Sequence, residues 1–294
     1  MQRDINSYIA SGKERLEKEL TSVLRNKAIP SNLHASMTYS LFAGGKRLRP
    51  ILMFASYDTF ANESDKVLKT ATALEMIHTY SLVHDDLPAM DNDDYRRGQL
   101  TNHRKFDEAT AILAGDALLT YSFELIAQDA LLTADEKVYI FQALAKASGA
   151  EGMVAGQILD TEGEEKDLTL AELEKIHELK TGKLISFAIT VGAYLADVDE
   201  NRIQHLKQFA YYLGLIFQVQ DDILDVIGDP NKLGKPVGSD EENEKSTYPN
   251  LLGLEGAKKQ KATYEKLAKE ALTQANAMDS YLLDLLYFFS QRDH

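Results

Sequence analysis

The sequence contains no cysteine and only 6 prolines among its 294 residues. Without cysteine the chain can form no disulfide and can use no thiolate nucleophile. This composition is typical of a reducing cytosol, so we expect a cytoplasmic protein. No segment rich in proline, glycine or serine forms a linker, so we expect one domain over residues 1–294, although the length would allow two.

A basic excess and a long apolar run are also missing, and we expect no leader segment. The net charge of −14 disfavours nucleic acid as a partner. The first residues lack the basic-then-apolar pattern of a signal peptide. Asp116 and Glu124 interrupt the most apolar stretch, so we expect no membrane span, which would need roughly 20 apolar residues.

Apolar residues recur with the period of an α-helix along nearly the whole chain. A first stripe runs from Ile5 to Leu24, Pro30 breaks it, and Ser31 is placed to cap a second helix that stops at Gly44-Gly45. Strand patterns are almost absent, so the sequence predicts an all-α protein. Polar loops are predicted over residues 91–103, 160–167 and 228–249. Further helices are predicted over residues 51–57, 68–84, 108–131, 135–157, 170–195, 200–227, 254–276 and 280–291.

Two aspartate clusters lie far apart in this helical sequence, namely Asp85-Asp86-Leu87-Pro88-Ala89-Met90-Asp91 and Asp221-Asp222-Ile223-Leu224-Asp225. Carboxylates this close together repel one another unless a cation joins them. The simplest interpretation is a cavity with two acidic walls, where several Mg²⁺ ions hold a phosphorylated substrate. The alternative is a solvated helix surface, but the residues flanking the second cluster are largely apolar.

The second cluster has the simpler geometry. Asp221, Asp222 and Asp225 are neighbours on one helix face, so all three are able to face one ion. On a straight helix Asp85 and Asp91 would point roughly 120° apart. Pro88 predicts a kink, a bulge or a helix end between them, which would let Asp91 turn back toward Asp85.

Basic residues recur close to these clusters, although each lysine alone is more often an ordinary surface residue. Lys46 and Arg49 follow a glycine pair at a predicted helix start, where free N–H groups favour an anion. A glycine within Lys180-Thr181-Gly182-Lys183 predicts a local break in an apolar helix. Acids that bind metal beside bases that bind phosphate favour a diphosphate enzyme. The other basic residues near the clusters are Arg96, Arg97, Lys235 and Lys245.

These motifs resemble the signatures of the trans-polyprenyl diphosphate synthase family. They occur in that family's order and cover almost the whole chain, and the two extra residues in the first acidic motif resemble the bacterial short-chain members that make farnesyl diphosphate. The segments that carry the resemblance are residues 44–50, 84–91 followed by 96–98, 180–183 and 217–225.

The resemblance implies a fold, a reaction and partners. The expected fold is an all-α, single-domain helical bundle of the isoprenoid synthase type around a central cavity, assembled as a homodimer. The expected reaction condenses dimethylallyl or geranyl diphosphate with isopentenyl diphosphate to give farnesyl diphosphate. Three Mg²⁺ ions per active site are expected to assist ionisation of the allylic substrate.

The resemblance also assigns roles to residues, one position at a time. The expected Mg²⁺ ligands are Asp85, Asp86, Asp91, Asp221, Asp222 and Asp225. The residues expected to support the allylic diphosphate are Arg96, Lys180, Thr181, Gln218, Lys235 and, less directly, Lys245. The residues expected to bind isopentenyl diphosphate are Lys46, Arg49, His78 and Arg97, although a histidine such as His78 in an apolar helix is also an ordinary core residue.

Product length is expected to depend on the helix before Asp85. Ser81 precedes Asp85 by one turn, and Tyr80 precedes it by about 7.5 Å along the helix axis. In the resembling family an aromatic at the Tyr80 position closes the chain pocket at fifteen carbons. The alternative is a core tyrosine with no role in product length.

Four alternative functions stay open. A geranylgeranyl diphosphate synthase would use the same scaffold. A class I terpene cyclase carries a different second metal motif and lacks the basic set that contains Lys46, Arg49 and Arg97. A noncatalytic helical bundle that binds divalent ions belongs to another class. A regulatory subunit of the family typically loses acidic residues that are intact in this sequence.

Overall fold

The computed structural model describes residues 4–25, 27–62, 64–163, 166–228 and 246–292. Helices make up 78% of the structure and there is almost no sheet among the described residues, so the prediction of an all-α protein is confirmed. The α-helices are α1 Ile5–Leu24, α2 Ser31–Leu41, α3 Leu48–Phe60, α4 Leu68–Asp85, α5 Asn102–Lys105, α6 Glu108–Ala127, α7 Ala134–Ser148, α8 Met153–Gly163, α9 Leu170–His177, α10 Lys183–Leu195, α11 Glu200–Ile227, α12 Tyr248–Gln274 and α13 Tyr281–Gln291. The other elements are a 3₁₀ turn Ser64–Val67, a π turn Glu178–Gly182 and a small antiparallel hairpin of β1 Tyr95–Arg96 and β2 Gln99–Leu100.

The chain divides into two compact units. One consists of residues 6–54 and 63–141, and we call it the first-motif unit because it contains the acidic segment 85–91. The other consists of residues 1–5, 55–62 and 142–294, and we call it the second-motif unit because it contains residues 221–225. A single domain over the whole chain stays a prediction.

Helix α4 is the centre of the first-motif unit. It packs against α6 and also contacts α2. Leu74, Met76 and Ile77 point in different directions around the helix, yet none of them has exposed surface. A helix that is buried all round needs no amphipathic stripe. Its polar side chains, which include Glu75, therefore lie among packed residues and need partners.

Helix α11 has the corresponding place in the second-motif unit. Asp199 caps its first turn by accepting a hydrogen bond from the Arg202 N–H at 3.1 Å. The helix packs against α12, α10, α13 and the π turn. A side chain at Gly214 would place its Cβ 3.0 Å from the Gly182 Cα, so the glycine allows α11 to approach the π turn closely.

Several predicted boundaries are wrong. The predicted helix over residues 135–157 is two helices, because Gly149 and Gly152 form a hydrogen-bonded turn between α7 and α8. Helix α8 then continues to Gly163 through part of the predicted loop 160–167. Ser31 is the first residue of α2 and not its cap, since Pro30 takes the cap position without a side-chain hydrogen bond.

The start of α12 shows why its prediction was only partly correct. The predicted helix begins at Leu254, whereas α12 begins at Tyr248. Gly253 interrupts α12 with φ 69° and ψ 162°, so a short helical turn precedes the long helix. The apolar pattern identified the long part and missed the turn.

Helix α6 is the one element in the described part of the chain that is long and apolar enough to cross a membrane by length and composition. The expectation that acidic residues would disqualify this stretch was therefore too strict. Buried core helices pass the same test, and in α6 Ala114, Leu118 and Ile126 are fully buried. The composition of α6 is weak evidence for a span.

Candidate active site

The first acidic motif closes helix α4. The helix ends at Asp85, and the chain turns at the following Pro88 until the Asp91 N–H donates to the Asp85 carbonyl oxygen at 2.9 Å. Pro88 therefore ends the helix and brings the backbone of Asp91 back to Asp85, as the sequence predicted. Asp85 and Asp86 are buried, whereas Asp91 is exposed.

Arg96 on strand β1 holds the Asp86 carboxylate. Its Nε donates to Asp86 Oδ1 at 2.6 Å, and its Nη2 lies 3.6 Å from Asp93 Oδ2. Burial raises the pKa of Asp86, and the nearby Asp93 and Asp85 add to this effect while Arg96 opposes it. Such crowded, partly desolvated carboxylates gain stability when a divalent cation joins them.

A basic cluster lies beside this motif in the same unit. Arg49 donates from Nη1 to Nε2 of His78 at 3.1 Å. Arg97 donates to the Gly44 carbonyl oxygen, and its guanidinium lies so close to Gly45 that an added Cβ would be 2.5 Å from Nη1. Gly45 also has φ 111°, so a side chain there would be strained as well as crowded.

His78 is a neutral member of this cluster. Desolvation lowers the pKa of His78 well below its ordinary value, and Arg49 and Arg97 lower it further. Because a guanidinium can only donate, the Nε2 atom of His78 must be the acceptor. The surroundings of His78 are therefore strongly positive and suit an anion. Lys46, the fourth residue of the predicted set, is half-buried just before α3.

The carboxylates of the second motif have different partners. Asp221 Oδ1 lies 2.6 Å from Nη2 of Arg292, whose guanidinium stacks 4.0 Å from the centroid of the Phe217 ring. Asp222 is buried, and its Oδ2 accepts the Tyr248 N–H at 3.0 Å. That amide is the first of α12, so the helix dipole favours the ionised carboxylate. Asp225 is buried as well.

These acids fit Mg²⁺ only together with further oxygen ligands. Within the described ranges, no three Asp, Glu or His side chains form a group that could hold a metal ion by themselves. Mg²⁺ is usually bound by one or two carboxylates, with water and substrate phosphates completing its six ligands. The hard oxygen donors of both motifs match that mode of binding.

A pocket of about 130 Å³ lies beside Asp222 in the second-motif unit. It is lined by Lys180 and Gln218, which the resemblance assigned to the allylic diphosphate, and by Asp222, an expected Mg²⁺ ligand. Thr181 donates to Gln218 Oε1 at 3.4 Å and belongs to the same group. The structure therefore brings these four predicted residues together.

The π turn gives Lys180 its position. A Cβ on Gly156 of α8 would overlap the backbone of Lys180, so the glycine allows α8 to lie directly against the turn. One helical turn further on, Asp160 accepts a hydrogen bond from Lys180 Nζ at 2.6 Å. The predicted local break at Gly182 is thus a π turn, in which the helix is distorted but not interrupted.

Comparison with known proteins identifies the family of this chain. The family described as polyprenyl synthetase matches residues 30–285. The chain belongs to this family. A protein of Geobacillus stearothermophilus named farnesyl diphosphate synthase is 46% identical over 295 residues, which cover 100% of this chain and 99% of the relative. A farnesyl diphosphate synthase of Micrococcus luteus is 49% identical over 274 residues, with 92% and 93% covered.

This polyprenyl synthetase family member is also similar to a solved structure. It is described as geranyltransferase from Helicobacter pylori complexed with magnesium and isoprenyl diphosphate. The two sequences are 36% identical and the TM-score is 0.81. The match covers 98% of this chain and 96% of the other.

The remaining predicted residues of this polyprenyl synthetase lie on α4 or outside the described residues. Tyr80 is buried, and its ring lies edge-on to the His84 ring with the centroids 5.8 Å apart. Ser81 is half-buried and donates to the His78 carbonyl oxygen at 2.8 Å. Lys235 and Lys245 lie outside the described residues.

Sequence reasoning missed two residues of the pocket in this polyprenyl synthetase. Asp160 was assigned to a loop, although its spacing of one turn from Gly156 was a usable signal. His177 lines the pocket and stacks on Tyr248 with the ring centroids 5.7 Å apart. Burial lowers the pKa of His177 to about 3, so the ring is neutral at physiological pH.

Proposed function

We propose that this chain is a prenyltransferase that condenses dimethylallyl and geranyl diphosphate with isopentenyl diphosphate to give farnesyl diphosphate. One observation carries the proposal: helix α4 joins an acidic motif to an arginine cluster. His78 of the cluster precedes Asp85 of the motif by roughly 10.5 Å along the helix. A diphosphate bound through metal and a diphosphate bound without metal could therefore lie side by side.

The acidic residues are proposed to bind the metal-associated allylic diphosphate. Bound Mg²⁺, in the proposed number of three ions, would neutralise the charge that develops on the departing diphosphate. Arg96 already contacts a motif carboxylate, and Lys180, Thr181 and Gln218 meet beside Asp222. The proposed metal ligands are Asp85, Asp86, Asp91, Asp221, Asp222 and Asp225, and the further diphosphate ligands are Lys235 and Lys245.

The basic cluster is proposed to hold isopentenyl diphosphate. Arg49 and Arg97 carry fixed positive charges, Lys46 adds an ammonium group, and neutral His78 orients Arg49 by accepting its hydrogen bond. These groups supply donors for diphosphate oxygens without a metal ion. They would also hold the double bond of the substrate in one orientation.

The reaction needs no nucleophile from the protein. The allylic C–O bond breaks, and its electron pair leaves with the diphosphate. The π electrons of isopentenyl diphosphate then form the new C–C bond to the allylic carbon. A proton lost from the neighbouring carbon restores the double bond and passes to the departed diphosphate. The side chains bind, orient and stabilise charge.

Tyr80 is proposed to limit the product to fifteen carbons. It lies one and a half helical turns before Asp85 and is buried, so a hydrocarbon that grows along α4 would meet its ring. Ser81 is proposed to line the same path. A homodimer and a cytoplasmic location complete the proposal.

The test is product analysis with the purified protein. Labelled isopentenyl diphosphate is incubated with dimethylallyl diphosphate and Mg²⁺, and the dephosphorylated products are separated by chromatography. A fifteen-carbon alcohol that disappears when a chelator is added is expected. A twenty-carbon product would instead identify a geranylgeranyl diphosphate synthase, and a cyclic hydrocarbon would identify a cyclase. The absence of any product would favour a noncatalytic protein that binds divalent ions.

A further inference from the structure

A buried ion pair joins α4 to the loop that precedes α3. Arg47 Nη1 lies 2.7 Å from Glu75 Oε1, and the two side chains are only 0% and 2% exposed. Nη2 of Arg47 donates to the Leu41 carbonyl oxygen. Arg47 is therefore turned away from solvent and engaged within the protein, whereas Arg49, the second residue of α3, reaches His78.

Such a pair needs an explanation, because burying two charges costs free energy that their attraction barely recovers. The loop supplies one. Arg47 has φ 53°, and Gly44 and Gly45 have φ 95° and 111°. Glycine adopts this conformation readily, but Arg47 carries a Cβ, so its left-handed backbone is costly and persists only where its surroundings hold it in place. The contacts of Arg47 with Glu75 and Leu41 provide that restraint.

The same loop determines where Arg97 lies. Arg97 donates to the Gly44 carbonyl oxygen, and its guanidinium occupies the space that a side chain at Gly45 would need. Desolvation lowers the pKa of Arg97 and the Glu75 carboxylate opposes that effect, so Glu75 is near enough to act on Arg97 electrostatically. Glu75 also lies one turn before His78 on α4.

We propose that Arg47 and Glu75 are positioning residues that set the geometry of the isopentenyl diphosphate pocket without touching the substrate. The pair fixes the loop, and the loop fixes Arg97 and the start of α3 with Arg49. Glu75 further supplies a negative charge inside a cluster of arginines that would otherwise repel one another. This inference rests on the proposed function and extends it to residues that bind nothing themselves.

The experiment compares Michaelis constants for the two substrates. Glu75→Gln keeps the shape of the side chain but leaves Arg47 with only its longer ion pair, in which Glu17 Oε1 lies 3.8 Å from Arg47 Nε. The KM for isopentenyl diphosphate should rise about tenfold, because small displacements of binding groups are costly. The KM for the allylic diphosphate and kcat at saturation should change by less than about twofold. Arg47→Lys keeps the charge but loses the fork that reaches both Glu75 and Leu41, so its effect should be intermediate.

The matched control is Glu136→Gln, which breaks a different ion pair in the first-motif unit, the one with Lys66. Glu136 Oε1, in α7, lies 2.7 Å from Nζ of Lys66, in the 3₁₀ turn Ser64–Val67, and neither element contains a residue of the basic cluster. This variant should lower the melting temperature without separating the two KM values. If Glu75→Gln does not fold, Glu75→Asp, which keeps the charge with a shorter reach, takes its place.

The outcomes separate the two proposals. A wild-type protein that makes no condensation product would refute the proposed function itself. A wild-type protein that is active, with a Glu75→Gln variant that keeps its KM for isopentenyl diphosphate or raises both KM values equally, would refute only the positioning role. A selective rise that Arg47→Lys partly avoids supports it.

Discussion

The first acidic motif closes a helix, whereas the second lies inside one. In the first-motif unit the turn at Pro88 brings Asp91 back to Asp85, and a side-chain cation, Arg96, holds Asp86. In the second-motif unit α11 runs straight through the motif, and a backbone amide of another helix holds Asp222. The same type of carboxylate is thus fixed by a long flexible side chain in one unit and by a rigid backbone in the other.

This difference predicts that the two carboxylates, Asp86 and Asp222, differ in mobility. An arginine held by ion pairing can move to a diphosphate when a metal ion takes over its carboxylate. A backbone amide cannot leave without moving its helix, so Asp222 is expected to keep its orientation throughout the reaction. Asp86 should therefore be the more mobile of these two carboxylates and Asp222 the more rigid, whereas Asp221, which pairs with Arg292, is held by a side chain as Asp86 is.

The largest expected effect is removal of a carboxylate from either motif. Asp85→Asn and Asp221→Asn keep the shape of the side chain but lose a charged metal ligand, so turnover should fall on the order of 10²-fold or more while the fold survives. Steady-state kinetics at saturating Mg²⁺ measures this. Asp135→Asn, in the exposed first turn of α7, is the control and should behave like wild type. Unchanged turnover in Asp85→Asn would exclude a metal role for the first motif.

The next effect distinguishes the proposed isopentenyl diphosphate residues from the proposed allylic diphosphate residues. Arg49→Gln should raise the KM for isopentenyl diphosphate about tenfold with little change for the allylic substrate, because Arg49 belongs to the cluster with His78. Lys180→Gln should show the opposite bias, because Lys180 lines the pocket beside Asp222. Both KM values are measured for both variants. Equal shifts for the two substrates would contradict the assignment.

A smaller change in turnover, but a change of product, is expected at Tyr80. Tyr80→Ala removes most of a buried ring, so the chain pocket deepens and the unfolding free energy falls by about 3 kcal/mol. Products of twenty or more carbons should appear, with turnover within about twofold of wild type. Tyr80→Phe keeps the ring and should still stop at fifteen carbons. If Tyr80→Ala yields farnesyl diphosphate alone, the length limit lies at another residue, such as Ser81.

The smallest expected effect concerns the backbone N–H of Tyr248 that Asp222 accepts. Tyr248→Ala and Tyr248→Pro both remove the ring, but only the proline removes the N–H that Asp222 accepts. Proline is tolerated at the first position of a helix, and Thr247, with ψ 163°, is already extended as a residue before proline must be. The Mg²⁺ concentration for half-maximal activity should be about threefold higher for the proline variant. Identical Mg²⁺ dependence in the two variants would mean that the amide does not orient Asp222.

Local sequence was sufficient for much of the site. The breaking effect of proline predicted the turn at Pro88, and the glycine within 180–183 predicted a distortion that the structure has as a π turn. The all-α fold followed from the spacing of apolar residues alone. These are short-range effects, in which the residues involved lie within one or two turns of one another.

The residues that were missed depend on which helices meet. Asp160 matters because Gly156 allows α8 to lie against the π turn, and the sequence does not state that these two helices are neighbours. His177 likewise gains its role from Tyr248, which is far away in the chain. Glu75 belongs to none of the motifs. The role of a buried acid in an apolar helix can be predicted only when its partner, here Arg47, is known.

The π turn at Glu178–Gly182 has a consequence for how related sequences are aligned. A π turn contains one residue more than an α-helix uses for the same advance. Deleting one residue there would allow a continuous α-helix in which α9 and α10 keep their relative orientation, but the wide turn between them would be lost. Lys180 and Thr181 would then lose their places in the pocket even though both letters remained in the sequence. In this family a one-residue gap at the turn should therefore weigh more heavily than most substitutions when an uncharacterised sequence is judged to be active or inactive.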